Sequence, residues 1–383
     1  MRVRLPAAAR ESLARPVARR RFLQLSAAGA AVAGIAACGT TGGAAAPAAG
    51  GAGRKIGFAL ASYVVPRYVK LDLPNFETAA TAAGFETLSI QSENEPDKQL
   101  DGVSNLLSRD LSALALQPVS AESGVTLVRK AKAAGVPVIA YNQIADTPDL
   151  AAFVARDSVQ MGREMAVTAT ETLGGVRGRY ILVSGQAADP VSEGILKGWM
   201  EVLQPGIDSG AVTVLNQQYN NKWDPESARQ QVENALTAAG NNVQVVLCAN
   251  DALAGGALQA LKAQGLEKKT VVTGQDAETA ALRAILLGEQ TATWFTEADT
   301  MGRTAAELCV KLANGETVTA ERSYPVTGGE VPFFVIPIIK ITAANMVEYV
   351  KKYSPAYVDA KAVFQGIPAD KLPPGAAELL ASV

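Results

Sequence analysis

From Lys55 onward the chain alternates short apolar runs with amphipathic segments, joined by short connections. Strands are predicted at 55–60 (KIGFAL), 85–90 (FETLSI), 111–116 (LSALAL), 137–141 (PVIAY), 151–156 (AAFVAR), 179–185 (RYILVSG), 211–218 (AVTVLNQQ), 243–249 (VQVVLCA) and 270–276 (TVVTGQD). Helices are predicted over 67–83, 97–109, 121–134, 158–173, 191–203, 225–239 and 251–264. Continuous apolar strands in a βαβα rhythm imply parallel sheets with helices on both faces. The chain is therefore expected to be an α/β protein.

The strand count is too large for one sheet, and an internal repeat supplies the reason. Shifted by 129 residues, Pro96 falls on Pro225, Val103 on Val232, Asn105 on Asn234 and Leu107 on Leu236. The strand after each helix aligns as well. Two similar βα halves are thus expected, joined near residues 143–150 (QIADTPDL), a Pro- and Asp-bearing segment of hinge type.

Open parallel sheets bind ligands beyond the carboxyl ends of their strands. Those ends are unusually rich in polar and aromatic residues here. Ser62, Tyr63, Arg67 and Tyr68 follow the first strand, Gln117 the third and Asn142-Gln143 the fourth. The second half offers Gln186 and Asp189, then Tyr219-Asn220-Asn221 with Trp223, then Asn250-Asp251 and Gln275-Asp276, with Trp294 and Thr296 beyond. Amides, carboxylates and guanidinium groups pair with adjacent hydroxyls, and aromatic faces cover the C–H face of a sugar ring. A polyol is the natural ligand. Local roles compete at several positions. Asp251 reads as the N-cap of helix 251–264, whereas Asn250 has no such local task. Asp276 reads equally as a ligand contact or as a cap of the next helix. Trp223, ahead of a helix starting at Pro225, reads equally as a packing residue. The Gly-rich TLGGVRG (172–178) ends a helix and is not a phosphate loop.

The chain has no His, which removes the commonest general base and metal ligand. No nucleophile motif or metal-ligand spacing stands out, so neither an enzyme nor a cofactor is expected. A formal charge of −2 and the lack of any helix-turn-helix or zinc-finger pattern argue against nucleic acid as partner. Cys248 and Cys309 are expected to be buried free thiols.

Residues 1–37 have the composition of an export signal. They hold seven basic groups and one acidic group, and RRRFLQ (19–24) precedes the weakly apolar LSAAGAAVAGIAA (25–37). Arg19-Arg20 followed by Phe22-Leu23 has twin-arginine character, with Ala18 where Ser or Thr is usual. IAAC (35–38) reads as a lipobox, with cleavage before Cys38 and lipidation of its thiol. GTTGGAAAPAAGGAG (39–53) has tether composition. An exported protein anchored by lipid at the outer face of the cytoplasmic membrane is expected, with 38–53 as lipidated Cys and tether.

The segments MEVLQPGIDSGAVTV, WDPESARQQVENAL, ALTAAGNNVQVVLCANDALAGGALQALKAQGL and GQDAE, with Gly-Glu-Gln at 288–290, resemble the periplasmic sugar-binding proteins of ABC importers. The nearest likeness is to the xylose-binding and multiple-monosaccharide-binding branch. It runs from about Lys55 to the end of the chain. The resemblance implies a type I periplasmic binding protein, with two Rossmann-like lobes, parallel sheets and a three-strand hinge. Residues 54–143 with 297–325 would form one lobe, 150–294 with 326–345 the other, and 346–383 a C-terminal extension. It implies a monomer that closes over one monosaccharide, xylose-like first, and presents it to an ABC permease and its cytoplasmic ATPase. A sensing variant that signals to a membrane receptor, and a hexose, polyol or inositol as ligand, stay open.

Carried over residue by residue, the resemblance implies ligand contacts from Arg67, Tyr68, Asn250 and Asp276, with either Tyr219 or Trp223 as the stacking ring. Asp189 alone survives of an Asp-Asn-Asn segment. Asn142-Gln143 stand where the branch has Asp-Arg, and Thr296 where it has Lys, so the expected cleft has lost charge.

Overall fold

The computed structural model describes residues 53–63 and 65–383. The readings placed on residues 1–52, including lipidation of Cys38, lie outside the described residues. No described helix is long and apolar enough to cross a membrane.

Among the described residues thirteen strands form two sheets. They are β1 (Arg54–Leu60), β2 (Phe85–Gln91), β3 (Leu111–Leu116), β4 (Val138–Tyr141), β5 (Ala152–Ala155), β6 (Gly178–Ser184), β7 (Val212–Tyr219), β8 (Val245–Cys248), β9 (Val271–Gln275), β10 (Ala292–Thr296), β11 (Arg322–Val326), β12 (Gly329–Val335) and β13 (Ile338–Ile341). The helices are α1 (Leu73–Ala82), entered through a π-turn at Tyr68–Asp72, then α2 (Pro96–Leu107), α3 (Ala121–Ala133), α4 (Ser158–Thr172), α5 (Pro190–Asp208), α6 (Pro225–Ala239), α7 (Asp251–Ala263), α8 (Thr279–Leu287), α9 (Ala298–Ala313), α10 (Met346–Tyr353), α11 (Ala360–Phe364) and α12 (Ala376–Ala381).

The first sheet has the order β11-β12-β5-β4-β3-β1-β2 and the second β13-β10-β9-β8-β6-β7. The cores of both share the doubly wound order, with β2-β1-β3-β4 matching β7-β6-β8-β9. The internal repeat is therefore structural: α2 and α6 both begin with Pro, and β3-α3 corresponds to β8-α7. Strand interiors are apolar because both faces are covered; β4, β5, β8, β9 and β10 are buried throughout. The polar residues at strand ends start the helices. Ser120 and Ser123 form a capping box, and Asp157, Asp189 and Asp224 cap α4, α5 and α6.

Two lobe boundaries differ from the expected ones. The segment AAFVAR was expected to open the second lobe, but β5 pairs in parallel with β4, Ile139 opposite Ala152 and Tyr141 opposite Val154. Residues 142–151 therefore join neighbouring strands of one sheet, and the chain first crosses at Arg156-Asp157. Residues 326–335 were expected in the second lobe. They hold the end of β11, a turn and β12, which pairs with β11 as a hairpin and with β5 in parallel, so the last crossing lies at Ile336-Pro337. Between them, β10 closes on β9 and β13 in the second sheet, while α9 packs on α1 and β3 of the first lobe.

Cys248 and Cys309 are free thiols in separate cores. The C-terminal helices form a further core with α8 and β10, built on Leu282, Ile285, Phe295, Met346, Tyr349, Tyr353 and Tyr357.

Candidate functional site

The carboxyl ends of both sheets meet at one cleft. The first lobe supplies Ser62, Val65, Arg67 and Tyr68 after β1, Asn94 after β2, Gln117 after β3, Asn142-Gln143 after β4 and Arg156 after β5. The second lobe supplies Asp189 and Val191 after β6, Lys222-Trp223 after β7, Asn250 after β8 and Gln275-Asp276 from β9.

One hydrogen-bond network shapes the first-lobe wall. Arg67 and Arg156 both donate to the single amide oxygen of Asn142, Arg67 Nη2 at 2.9 Å. Asn142 Nδ2 and Gln117 Nε2 each donate to the Tyr68 hydroxyl oxygen at 2.9 Å. Behind them Arg67 pairs with Asp72 at 3.6 Å, and Tyr141 donates to the same carboxylate. Arg67 and Arg156 are only 1% and 4% exposed, so both cations are held out of water and need such partners.

The second-lobe wall turns on Asp189. Its Oδ1 accepts from the Val191 N–H at 2.8 Å, and its Oδ2 from Trp223 Nε1 at 3.2 Å. Gln143 Nε2 reaches the same Oδ2 from the opposite lobe at 2.6 Å. A second interlobe link joins Lys222 to Glu95 at 3.0 Å. The Asp276 carboxylate has no protein hydrogen-bond partner among the described residues. Burial pushes its pKa up, and the positive charges of Arg67 and Arg156 pull part of that shift back.

Several lining residues occupy left-handed backbone. Asn94, Asn142, Lys222 and Trp223 have φ of 57–60°, and Asp276 has φ 97°. Non-glycine residues seldom adopt such conformations, and they gather where function demands them.

A family model described as a periplasmic binding protein domain matches residues 56–317. The chain belongs to the periplasmic binding protein family. The D-xylose-binding periplasmic protein of Escherichia coli K12 is 31% identical over 298 residues, 78% of this chain and 89% of that protein. The D-xylose-binding periplasmic protein of Haemophilus influenzae is 33% identical over 299 residues, again 78% and 89%. Among solved structures, a carbohydrate transporter solute binding protein from Chloroflexus aurantiacus, in complex with D-glucose, superposes with a TM-score of 0.74 at 24% identity, covering 82% of this chain and all of that one. That likeness is one of fold.

In this periplasmic binding protein, Arg67, Tyr68, Asn142, Gln143, Asp189, Trp223, Asn250 and Asp276 line the cleft, and Tyr219 and Thr296 do not. The Tyr219 hydroxyl donates to Glu193 Oε2 at 3.0 Å, away from the cleft. Thr296 ends β10 in register with Ile338, buried inside the sheet edge. Asp251, expected as the cap of α7, is displaced from that role by Asn250, whose Oδ1 accepts from the Leu253 N–H at 2.9 Å. Asp251 instead lies beneath the Asp276 loop, accepting from Gln290 Nε2, Thr293 Oγ1 and the Glu278 N–H at 2.9–3.0 Å. Asp276 caps nothing; Glu278 occupies the N-cap position of α8. The principal omission from the expected set is Arg156. Its signal, a cation closing the apolar run AAFVA, is plain once β5 is assigned to the first lobe.

The carboxyls at the cleft and just behind it give the fold an uncommon pH response. Burial pushes Asp72 from 3.8 up to about 6, against the pull of Arg67. Burial and the nearby Asp276 charge push Glu278 from 4.5 up to about 7. A raised carboxyl pKa means that the folded chain binds the proton more tightly than the unfolded chain. Its contribution to stability is full below the unfolded value and is lost as pH rises through the folded one. Glu278→Gln removes that loss. The gap in melting temperature between this variant and wild type is therefore expected to widen in the variant's favour from about pH 4.5 to pH 7. A gap that stays constant, or closes, contradicts the assignment; thermal melts across that range decide it.

Proposed function

We propose that this binding protein captures one neutral, monosaccharide-sized polyol between its lobes, with a xylose-like pentose as first choice. One observation carries the reading: buried polar atoms of cleft residues on both lobes lack protein partners among the described residues, namely Arg67 Nη1, Gln143 Oε1, Arg156 Nε and Gln275 Oε1. Buried donors and acceptors are seldom left unpaired, and a ring of adjacent hydroxyls both donates and accepts. Two guanidinium groups stand against the carboxylates of Asp189 and Asp276, which favours a neutral ligand. In this reading Arg67, Arg156, Asn142 and Asn250 hold hydroxyls, Asp276 accepts from a pair of them, and the Trp223 ring covers a C–H face. The contacts Gln143–Asp189 and Lys222–Glu95 close the lobes over the bound molecule.

The two relatives named for D-xylose support the pentose, and their place among periplasmic proteins supports export. The family supports delivery to an ABC permease. Anchoring through a lipidated Cys38 completes the proposal, with no covalent chemistry on the ligand.

The test is a binding screen of the mature protein by thermal shift and calorimetry against D-xylose, D-glucose, xylitol and myo-inositol. A ligand at a hundred times its Kd is expected to stabilise the fold by about 2.7 kcal/mol. D-xylose as the strongest ligand supports the proposal in full, and preference for another of the four redirects it within the polyols. No response from any of them overturns it.

A further inference from the structure

The Asp276 carboxylate lines the cleft with no hydrogen-bond partner among the described residues, so its position depends on its backbone. That backbone is unusual. Asp276 and Ala277 are consecutive left-handed residues, with φ of 97° and 52°. On one side β10 holds them: the Asp276 N–H donates to the Trp294 carbonyl at 2.7 Å and the Ala277 N–H to Thr293 Oγ1 at 3.2 Å.

On the other side the holders come from the C-terminal extension. The Tyr357 hydroxyl donates to the Asp276 carbonyl at 2.9 Å, and the Tyr349 hydroxyl to the Ala277 carbonyl at 3.2 Å. Each tyrosine is 5% exposed. Their rings are fixed against Phe295 of β10, with centroids 5.0 Å away for Tyr349 and 6.1 Å for Tyr357. Tyr353 joins the same ring cluster at 4.8 Å, but its hydroxyl donates elsewhere, to Asp299 Oδ1 at 2.9 Å.

We infer that Tyr357 and Tyr349 are positioning residues for Asp276, and that the C-terminal extension is thereby part of the binding apparatus. Two buried phenol donors satisfy the two carbonyls that a left-handed pair turns away from the sheet. Without them these carbonyls are buried and unpaired, and the loop gains by rotating back toward ordinary φ. The carboxylate then leaves its place between the arginines. The binding part of this inference rests on the sugar-binding reading above; the loop-positioning part does not.

The experiment compares Tyr357→Phe, Tyr349→Phe and Tyr353→Phe, each of which deletes one hydroxyl and keeps the ring. Amide hydrogen exchange at Asp276 and Ala277 is expected to quicken about tenfold in Tyr357→Phe, less in Tyr349→Phe and not in Tyr353→Phe. Affinity for the tightest of D-xylose, D-glucose, xylitol and myo-inositol is expected to fall about tenfold in Tyr357→Phe and to hold in Tyr353→Phe. In an Asp276→Asn background Tyr357→Phe is expected to cost little further affinity, a coupling that general loosening of the core does not produce. Unchanged exchange in both Tyr357→Phe and Tyr349→Phe overturns the inference. So does an equal effect of Tyr353→Phe, or full additivity with Asp276→Asn. If wild type binds none of the four compounds, the sugar reading fails and the exchange comparison alone decides the positioning role.

Discussion

Asp276→Ala is expected to weaken sugar binding by about a hundred- to a thousandfold while leaving a folded protein. The magnitude follows from what the carboxylate does. It is the one anionic group of the cleft with no protein hydrogen-bond partner among the described residues, so its accepting capacity is available to ligand hydroxyls. It also opposes the positive charge of both Arg67 and Arg156. Removing it costs charge-assisted hydrogen bonds and leaves two buried cations sharing the neutral amide of Asn142. Asp276→Asn separates the contributions. It keeps the shape and the left-handed backbone, which Asn tolerates, and removes the charge. Because burial raises the carboxyl pKa, the ionised group opposes folding at neutral pH, and the Asn variant is expected to melt no lower than wild type in the absence of ligand. Loss of affinity with retained or increased stability is the behaviour of a residue kept for binding. Calorimetry and thermal melts on the two variants check both halves; wild-type affinity in Asp276→Ala places the site elsewhere.

Gly185→Ala is expected to remove about ten- to a hundredfold of affinity without a single polar contact being deleted from the sequence. A Cβ at Gly185 would lie 2.3–2.5 Å from three ring atoms of Trp223, far inside contact distance, so the indole rests directly on the Gly185 backbone. The ring has little room to yield. Its Nε1 is tied to Asp189, and it is carried by two consecutive left-handed residues, Lys222 and Trp223. Displacing it breaks the indole–carboxylate bond and withdraws the aromatic face from the cleft. Trp223→Ala is expected to cost as much, and the double variant no more than Trp223→Ala alone. The indole fluorescence of Gly185→Ala reports the displacement independently of ligand. Full affinity together with unchanged fluorescence removes Trp223 from the binding surface.

The fold was legible wherever a residue's local surroundings decide its structure. Strands buried on both faces are continuous apolar runs such as LSALAL and VQVVLCA, and Pro225 marks where a helix begins. What stayed hidden was which sheet a strand joins. AAFVA is apolar enough for either, and only its pairing with β4 settles its place. That one ambiguity displaced the lobe boundary and concealed Arg156 as a partner of Asn142. The hairpin β11–β12 is half exposed and carries Pro325 and Pro332, so it lacks the pattern of a buried strand.

The candidate site was legible as a chemical class. Amides, carboxylates and guanidinium groups do converge where strands end. Individual places were harder to read. Trp223 reaches the cleft and Tyr219 does not because of two left-handed residues that no propensity announces. Asn250 takes the cap expected of Asp251, because a neighbouring loop, with Gln290, Thr293 and Glu278, claims the Asp251 carboxylate.

The three crossings between the lobes are stitched to one another. The Ile336 N–H donates to the Ala155 carbonyl at 2.9 Å and the Glu297 N–H to the Pro337 carbonyl at 3.3 Å, while Arg322 of β11 braces the first crossing through Asp157 at 3.0 Å. Three independent tethers would let two bodies slide, twist and tilt. Three tethers bonded side by side behave as one flat spring, stiff against shear and soft in a single direction. One swing rather than a family of motions is the expected result. The cleft is then expected to open like a book along the edge opposite the spine, where Lys222 and Glu95 meet.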